Sequence, residues 1–182
     1  DYTPEFTLTP AGKSSETIFA GTLNGKGFSL NGVHISETTT ANTGLFWKTA
    51  ETSTIKKLKL TNSYIEGKQY VGSISGRGGG TFSEIYSDAV VKASGSNVSG
   101  GILGYTELSA TFDTIEFAGH AAVTTNLAGG ITADINGVVV TMTNCHVSGT
   151  IEKLGTTGHM NMGMMAGRVN DAGDLTIEKC FI

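Results

Sequence analysis

The sequence predicts an all-β fold, a single-stranded parallel β-helix of about six coils that bury their apolar side chains by stacking on one another. Three observations predict it. Glycines recur at a nearly fixed step, an apolar triad recurs at the same step, and no sustained apolar stripe of helical period occurs. The chain has 182 residues, of which 38% are hydrophobic, and is therefore long enough for one well-buried core.

Five glycines mark the repeat, and a short apolar run follows each of them. They recur at steps of 28, 28, 29 and 34 residues and are Gly44, Gly72, Gly100, Gly129 and Gly163. One repeat of this length suits one coil of short strands, whereas a four-stranded propeller blade needs about 40 residues or more. Aligning the runs predicts one column of inward side chains, made of Phe46, Ile74, Ile102, Ile131 and Met165.

An apolar triad sets the register within each coil, because its second member follows the first by three residues and its third follows the second by two. The copies are Ile55/Leu58/Leu60, Phe82/Ile85/Ser87, Phe112/Ile115/Phe117, Met142/Cys145/Val147 and Ile177/Cys180/Ile182, and Leu30/Val33/Ile35 is interpreted as an earlier copy. The final spacing of two is strand alternation, and the extra residue before it predicts a bend.

The same alignment makes Cys145 and Cys180 neighbours in adjacent coils. Stacked positions about 4.8 Å apart fall within the Cα separation that a disulfide allows. Parallel, in-register Cβ vectors do not favour the required dihedral angle. The interpretation therefore leans towards two buried thiols, with a disulfide as the alternative.

Composition limits the classes of function. The net charge of −4 argues against nucleic acid as a partner, since nucleic-acid binding needs a basic face. No apolar stretch approaches the roughly 20 residues of a membrane span. The chain starts at Asp1 and not at Met, so we expect that a signal segment or upstream region has been removed and that the protein is extracellular or on the cell surface.

The chain divides into two parts. Residues 1–16 hold both prolines and are predicted to form an amino-terminal cap or lead-in, and residues 17–182 form the repeat domain. Ile182 falls on an inward position with no polar capping segment after it, so we expect the repeat domain to be truncated at its carboxyl end. An uncovered coil predicts edge-to-edge self-association.

Residues 19–33 resemble the opening coil of GLUG-motif surface proteins. The segment reads FAGTLNGKGFSLNGV, against a motif of roughly F-x-G-x-L-(N/D)-G-x-G-(F/Y)-x-(I/L)-x-G-(L/V). Gly44-Leu45-Phe46 is similar to the GLF that opens the next coil in that family. The resemblance covers residues 17–182 and implies a right-handed parallel β-helix on secreted or cell-surface bacterial proteins. It implies no defined activity and carries over no catalytic or binding residues.

A cluster of charged side chains is predicted on the outer face of three successive coils. It contains Glu84, Asp113, Glu116 and His146. Carboxylates about 5 Å apart could bind Ca²⁺ or act as an acid/base pair on a carbohydrate. The alternative, which we favour, is a solvated strand face with cross-coil pairs such as Lys57–Glu84 and Glu116–His146, each of small energy.

Trp47 is a candidate for stacking on a sugar ring, with Tyr64, Tyr70 and Tyr105 as weaker companions, and Tyr86 is a candidate ligand-binding residue. Trp47 is expected to face outward beside the inward Phe46, and Tyr86 stands in the same outward ladder as Glu116 and His146. For Trp47 the alternative is packing beneath residues 1–16 as part of the cap. Because no row of aromatic residues accompanies it, we favour the cap.

The function favoured by the sequence is a non-catalytic extracellular β-helix module for adhesion, with a glycan or a host or partner protein as its ligand. The alternative is a carbohydrate-active β-helix enzyme of the lyase or glycosidase kind, and a third option is a structural spacer. Arg77 and Arg168 are expected in turns, away from the carboxylates, which weighs against the enzyme. We expect no cofactor and no metal site, because the histidines lack paired spacing and two cysteines are too few for a thiolate site.

Overall fold

A computed structural model describes residues 6–12, 17–95, 98–156, 160–170 and 172–182. In it the chain is a β-solenoid of about five turns, built from parallel strands, and the described residues contain no helix. The predicted all-β, parallel fold is confirmed, with about five turns in place of about six. It follows that the described residues include no helix that is long and apolar enough to cross a membrane.

Three sheets run along the solenoid, and their strands are numbered in chain order. Sheet A contains β1 (Phe6–Thr7), β4 (Val33–Glu37), β8 (Tyr64–Gly67), β11 (Val90–Ala93), β14 (His120–Val123) and β19 (Thr150–Lys153). Sheet C contains β5 (Asn42–Thr43), β9 (Tyr70–Gly72), β12 (Val98–Gly100), β15 (Asn126–Gly129) and β20 (Met160–Gly163). In both sheets each strand pairs with its counterpart one coil away, which is what a repeat stacked on itself requires.

Sheet B is the largest of the three. It contains β2 (Thr22–Asn24), β3 (Ser29–Asn31), β6 (Phe46–Thr49), β7 (Thr54–Thr61), β10 (Ser75–Ser87), β13 (Leu103–Phe117), β16 (Thr132–Ile135), β17 (Val139–Thr143), β18 (His146–Val147), β21 (Ala166–Val169) and β22 (Asp174–Glu178). The 13-residue β10 pairs with β6 through its first half and with β7 through its second. Between the halves, Gly78 and Gly80 have φ of 124° and 108°, a conformation that glycine adopts at little cost.

The bend inside each triad consists of one residue in the left-handed region. The first members of the triads pair in register from coil to coil, and the rings of Phe82 and Phe112 stack at 5.1 Å. Between the first and second members, φ lies between 52° and 56° at Lys57, Glu84, Thr114, Asn144 and Lys179. This residue accounts for the three-residue step between the first and second members of the triad. It bends the strand, and the side chain of the second member still faces the core.

The predicted earlier triad copy, Leu30/Val33/Ile35, was wrong. Leu30 pairs with Leu60, the third member of the next copy, and Leu23 takes the first position by pairing with Ile55. Val33 and Ile35 lie in β4 of sheet A. The bend in this coil passes through residues 25–27 and is two residues longer than the later ones, which moves the pattern out of phase.

The predicted inward column is continuous from Ile74 to Met165. Backbone N–H groups of Ile74, Ile102 and Ile131 donate to the carbonyls of Ile102, Ile131 and Met165, and the three isoleucines are fully buried while Met165 is half-buried. Phe46 is shifted by one residue in register, because it pairs with Ser75 and not with Ile74. The corner of the first coil takes two residues from Gly44 to Phe46, whereas the next takes three from Gly72 to Ser75.

The amino-terminal segment lies along the first coil. Ala11 forms a bridge with Phe46 and Phe19 with Thr49, and the rings of Phe19 and Phe46 stack at 4.3 Å. Residues 1–5 and 13–16 of the predicted cap lie outside the described residues. Within those described, Phe19 covers the inward Phe46 at this end of the core.

Candidate functional site

An open groove of about 330 Å³ follows the left-handed corner on the outer face of sheet B. We call it the Tyr86 groove, and its charged and aromatic lining residues are Lys59, Glu84, Tyr86, Glu116, His146 and Phe181. All but Glu84 form one ladder, because each pairs with the next one coil away. Strand register alone therefore brings together side chains about 30 residues apart in the sequence.

Aromatic rings stand at three levels of this groove. His146 and Phe181 stack with ring centroids 4.2 Å apart, and Tyr86 lies two coils from His146 along the ladder. Burial raises the pKa of Tyr86, and the negative charges of Asp88 and Glu116 raise it further, so this phenol keeps its proton at neutral pH. Between the rings, the Oε1 atom of Glu116 lies 3.9 Å from Nδ1 of His146.

Asp113 lies beside the groove and is engaged with its neighbours. Its Oδ1 atom accepts hydrogen bonds from Oγ1 of Thr143 at 2.8 Å and from Nδ2 of Asn144 at 3.0 Å. These two bonds hold the pKa of Asp113 below its ordinary value. The carboxyl is therefore ionised at neutral pH and is suited to accept hydrogen bonds, not to donate a proton.

Four of the six residues proposed from the sequence line the groove, namely Glu84, Tyr86, Glu116 and His146. Glu84 lies 3.8 Å from Lys57, so both cross-coil pairs of the solvated-face alternative are present. Within the described residues, no three histidine, cysteine, aspartate or glutamate side chains are grouped so that they could hold a metal ion.

Trp47 is not part of the groove. It lies half-buried on β6, and its backbone N–H donates to the carbonyl of Ala11 at 2.9 Å. Because Phe46 pairs with Ser75, Trp47 stands opposite Gly76 in the register. It is thus next to the amino-terminal segment, on the side where the solenoid begins.

Cys145 and Cys180 are neighbours in adjacent coils, and both are free thiols. The backbone N–H of Cys145 points to Sγ of Cys180 at 3.3 Å. Burial raises the pKa of Cys145 to about 12, and the neighbouring Cys180 raises it as well. Cys145 is therefore protonated at neutral pH and is a poor nucleophile.

The sequence reasoning missed a second cluster, on the part of sheet B that precedes the glycine bend. The expectation that Arg77 and Arg168 lie in turns was wrong, because they lie in β10 and β21. One register column runs through Lys48, Arg77, Tyr105, Asp134 and Arg168. Four of these five stand five positions after a repeat glycine, so the alignment of the glycines contained the signal.

We call this cluster the arginine–tyrosine face and include in it Tyr70 and Glu107, which contact the column. Arg77 donates to Glu107, whose other oxygen lies 2.7 Å from Nζ of Lys48. The rings of Tyr70 and Tyr105 stack at 4.7 Å, and the guanidinium carbon of Arg77 lies 5.8 Å and 5.6 Å from their centroids. Burial raises the pKa of Glu107, but the hydrogen bond from Arg77 and the ion pair with Lys48 outweigh it and lower the pKa below its ordinary value.

No protein-family model matches this sequence, and no curated protein matches it either. The fold is similar to a solved structure described as a "putative immunoglobulin A1 protease from Bacteroides ovatus", with a TM-score of 0.58 and 17% sequence identity. The similarity covers 84% of this chain and 50% of that one, so this chain spans half the length of the structure it matches. At this identity the likeness shows a shared β-solenoid fold and nothing of activity.

Proposed function

We propose that this solenoid is a non-catalytic binding module of a secreted or cell-surface protein, and that the Tyr86 groove binds sugar rings of an extracellular glycan. The observation that carries the proposal is the ladder itself, which holds Tyr86, Glu116 and His146 at successive levels of one open groove. Aromatic faces stack on the apolar faces of sugar rings, and the carboxylate between them accepts hydrogen bonds from hydroxyl groups.

The dimensions support a ligand of this size. Tyr86 and His146 are two coils apart, which places them roughly 10 Å from each other along the solenoid. The groove volume of about 330 Å³ lies at the lower end of the range for small-molecule sites. A rigid strand ladder also keeps the side chains in place before binding, which lowers the entropy cost of association.

The ionised state of Asp113 favours binding over catalysis. A glycosidase needs one carboxylic acid whose pKa is raised so that it can protonate the leaving group. The hydrogen bonds to Asp113 lower its pKa, while Glu84 and Glu116 lie beside Lys57 and His146. An ionised Asp113 beside the groove is a hydrogen-bond acceptor, which supports the binding module over the carbohydrate-active enzyme.

The test is a glycan array with the purified chain, followed by calorimetry on each glycan that binds. Tyr86→Ala removes the stacking surface and should weaken binding about tenfold or more, in line with the loss of one aromatic contact. Tyr86→Phe keeps the ring and should bind within about threefold of the unchanged protein. Tyr64→Ala removes a tyrosine from sheet A and should leave binding unchanged.

Circular dichroism of each variant confirms that the fold is retained. Equal binding by the Tyr86→Ala and Tyr64→Ala proteins contradicts the proposal, as does an array on which no glycan binds. Cleavage of a bound glycan, measured as the release of reducing ends, contradicts the non-catalytic assignment and favours the enzyme.

A further inference from the structure

The arginine–tyrosine face presents positive charge to solvent on a chain whose net charge is −4. Its two carboxylates lie beneath its cations: the side chains of Asp134 and Glu107 are 4% and 15% exposed, whereas those of Arg168 and Arg77 are 42% and 35% exposed. With Lys48 the face has three cations against two carboxylates, a net charge of +1. What a ligand meets here is guanidinium edges and tyrosine rings.

The arginines are held in place and keep donors for a ligand. Arg168 donates from Nε and Nη2 to the two oxygens of Asp134, at 3.0 Å and 2.7 Å. A guanidinium has five N–H groups, and this arrangement uses one edge of the fork. The end-on edge, formed by one N–H of Nη1 and the second N–H of Nη2, has the geometry that binds a carboxylate in a bidentate manner. Since Asp134 fixes the side chain, little rotamer entropy is lost on binding.

The spacing of the two arginines selects an extended ligand. Arg77, Tyr105, Asp134 and Arg168 occupy successive coils, so the arginines are three coil steps or about 14 Å apart. A single small anion reaches one of them. A chain molecule with repeated carboxylates reaches both, and it passes over Tyr105, which offers an aromatic ring between the two charges.

We propose that the arginine–tyrosine face binds a polyuronate, a carboxylate-bearing polysaccharide, laid along the axis of the solenoid. Carboxylates pair with Arg77 and Arg168, and the sugar between them lies over the ring of Tyr105. The site is separate from the Tyr86 groove, which lies on the other side of the glycine bend in β10, and it requires no contribution from that groove.

Calorimetry with an oligogalacturonate of about eight sugars tests the proposal, beside the same oligomer after reduction of its carboxyl groups. The acidic oligomer should bind and the reduced one should not. Because the contacts are ionic and partly exposed, binding should weaken as salt rises from about 0.05 M to about 0.5 M. Equal binding of the two oligomers overturns the proposal.

The decisive variant is Arg168→Gln combined with Asp134→Asn. It leaves no unpaired buried charge and does not change the net charge of the protein, and it should weaken binding about tenfold through loss of the bidentate pair. Lys56→Gln removes a positive charge from another part of sheet B and serves as the control, with binding expected to stay within about twofold. Unchanged binding by the double variant, or equal weakening by Lys56→Gln, overturns the proposal.

Two further proteins keep the test independent of folding and of the first proposal. Arg168→Lys keeps the charge over Asp134 but loses the fork, and it should bind more weakly than the unchanged protein at equal thermal stability. Tyr86→Ala should bind oligogalacturonate as the unchanged protein does. Loss of binding in Tyr86→Ala places the acidic ligand in the Tyr86 groove and contradicts the second site.

Discussion

The bend in each triad consists of one residue with left-handed backbone dihedrals, and most of the residue types found there do not favour this conformation. The left-handed region costs an L-residue roughly 1 to 2 kcal/mol, and asparagine is among the few types that tolerate it. Asn144 fits this preference, but Lys57, Glu84 and Lys179 do not, and Thr114 is β-branched at φ of 56°. The buried ladders on both sides of the turn impose this backbone geometry on the residue between them.

Replacement of Thr114 by asparagine should therefore stabilise the protein. The strain of a β-branched residue at positive φ is relieved, and we expect the free energy of unfolding to rise by about 0.5 to 1 kcal/mol. Thr111→Asn, an exposed site in the extended part of the same strand β13, should give no gain, because asparagine is a poor strand former. Urea denaturation of the three proteins measures the difference. A Thr114→Asn protein less stable than Thr111→Asn would show that the threonine is not strained.

At the scale of the coil, the residue after a repeat glycine is matched in size to the third member of the triad in the three middle coils. A Cβ atom on Gly101 would lie 2.6 Å from Cγ of Phe117, and one on Gly130 would lie 2.6 Å from Cγ1 of Val147. Where the third member is the small Ser87, the aligned position carries Ser73. The glycines thus leave the space that larger side chains from another edge of the coil fill.

Gly101→Ala tests this matching. Its methyl group would meet the Phe117 ring and the backbone of Gly130, so we expect a loss of about 1 to 3 kcal/mol in the free energy of unfolding. Gly21→Ala is the matched control, since its Cβ would lie 3.5 Å from the Phe19 ring, an ordinary contact, and it should be neutral or slightly stabilising. Thermal unfolding compares the two. Equal melting temperatures would mean that the Phe117 ring and the backbone of Gly130 both shift without cost.

The sequence reveals those parts of the coil in which apolar side chains stack directly. The predicted stacking of Phe82, Phe112 and Met142 is correct, because each of these side chains is removed from water by packing on the next. Corners do not carry this signal. Phe46 lies in the core as predicted, but its register and that of Leu30 differ from the prediction, because corners in the first coils differ in length by one or two residues. Such a difference in length leaves the pattern of apolar residues unchanged.

The two candidate sites differ in the same way. The ladder of Tyr86, Glu116 and His146 follows directly from the triad register, so the Tyr86 groove was within reach of the sequence. The arginine–tyrosine face was not found because Arg77 lies in a glycine-rich run that reads as a turn. In the structure Gly76 lies in strand β10. Glycine is required there because a Cβ atom would collide with the backbone of Thr43.

Both end coils of the described chain contain strands that pair on one side only, and both expose large apolar side chains. In the described part of the chain, β19, β20, β21 and β22 each pair with a strand on one side only. Large apolar side chains are exposed in this last coil, among them Ile177 at 46% and Val169 at 39%. Strands with one open edge and apolar side chains can pair with another molecule.

We therefore expect this protein to self-associate through its last coil as its concentration rises. Ile177→Lys, in β22, places a charge at the open edge and should shift the association to higher concentration, because charges at edges oppose strand pairing. Val139→Lys is the matched control: Val139 is 54% exposed, but its strand β17 pairs on both sides, with β13 and β22. Light scattering over a concentration series gives the mass of each protein. A constant monomer mass for the unchanged protein, or an equal shift for both variants, would show that the edge of β22 does not mediate contact between molecules.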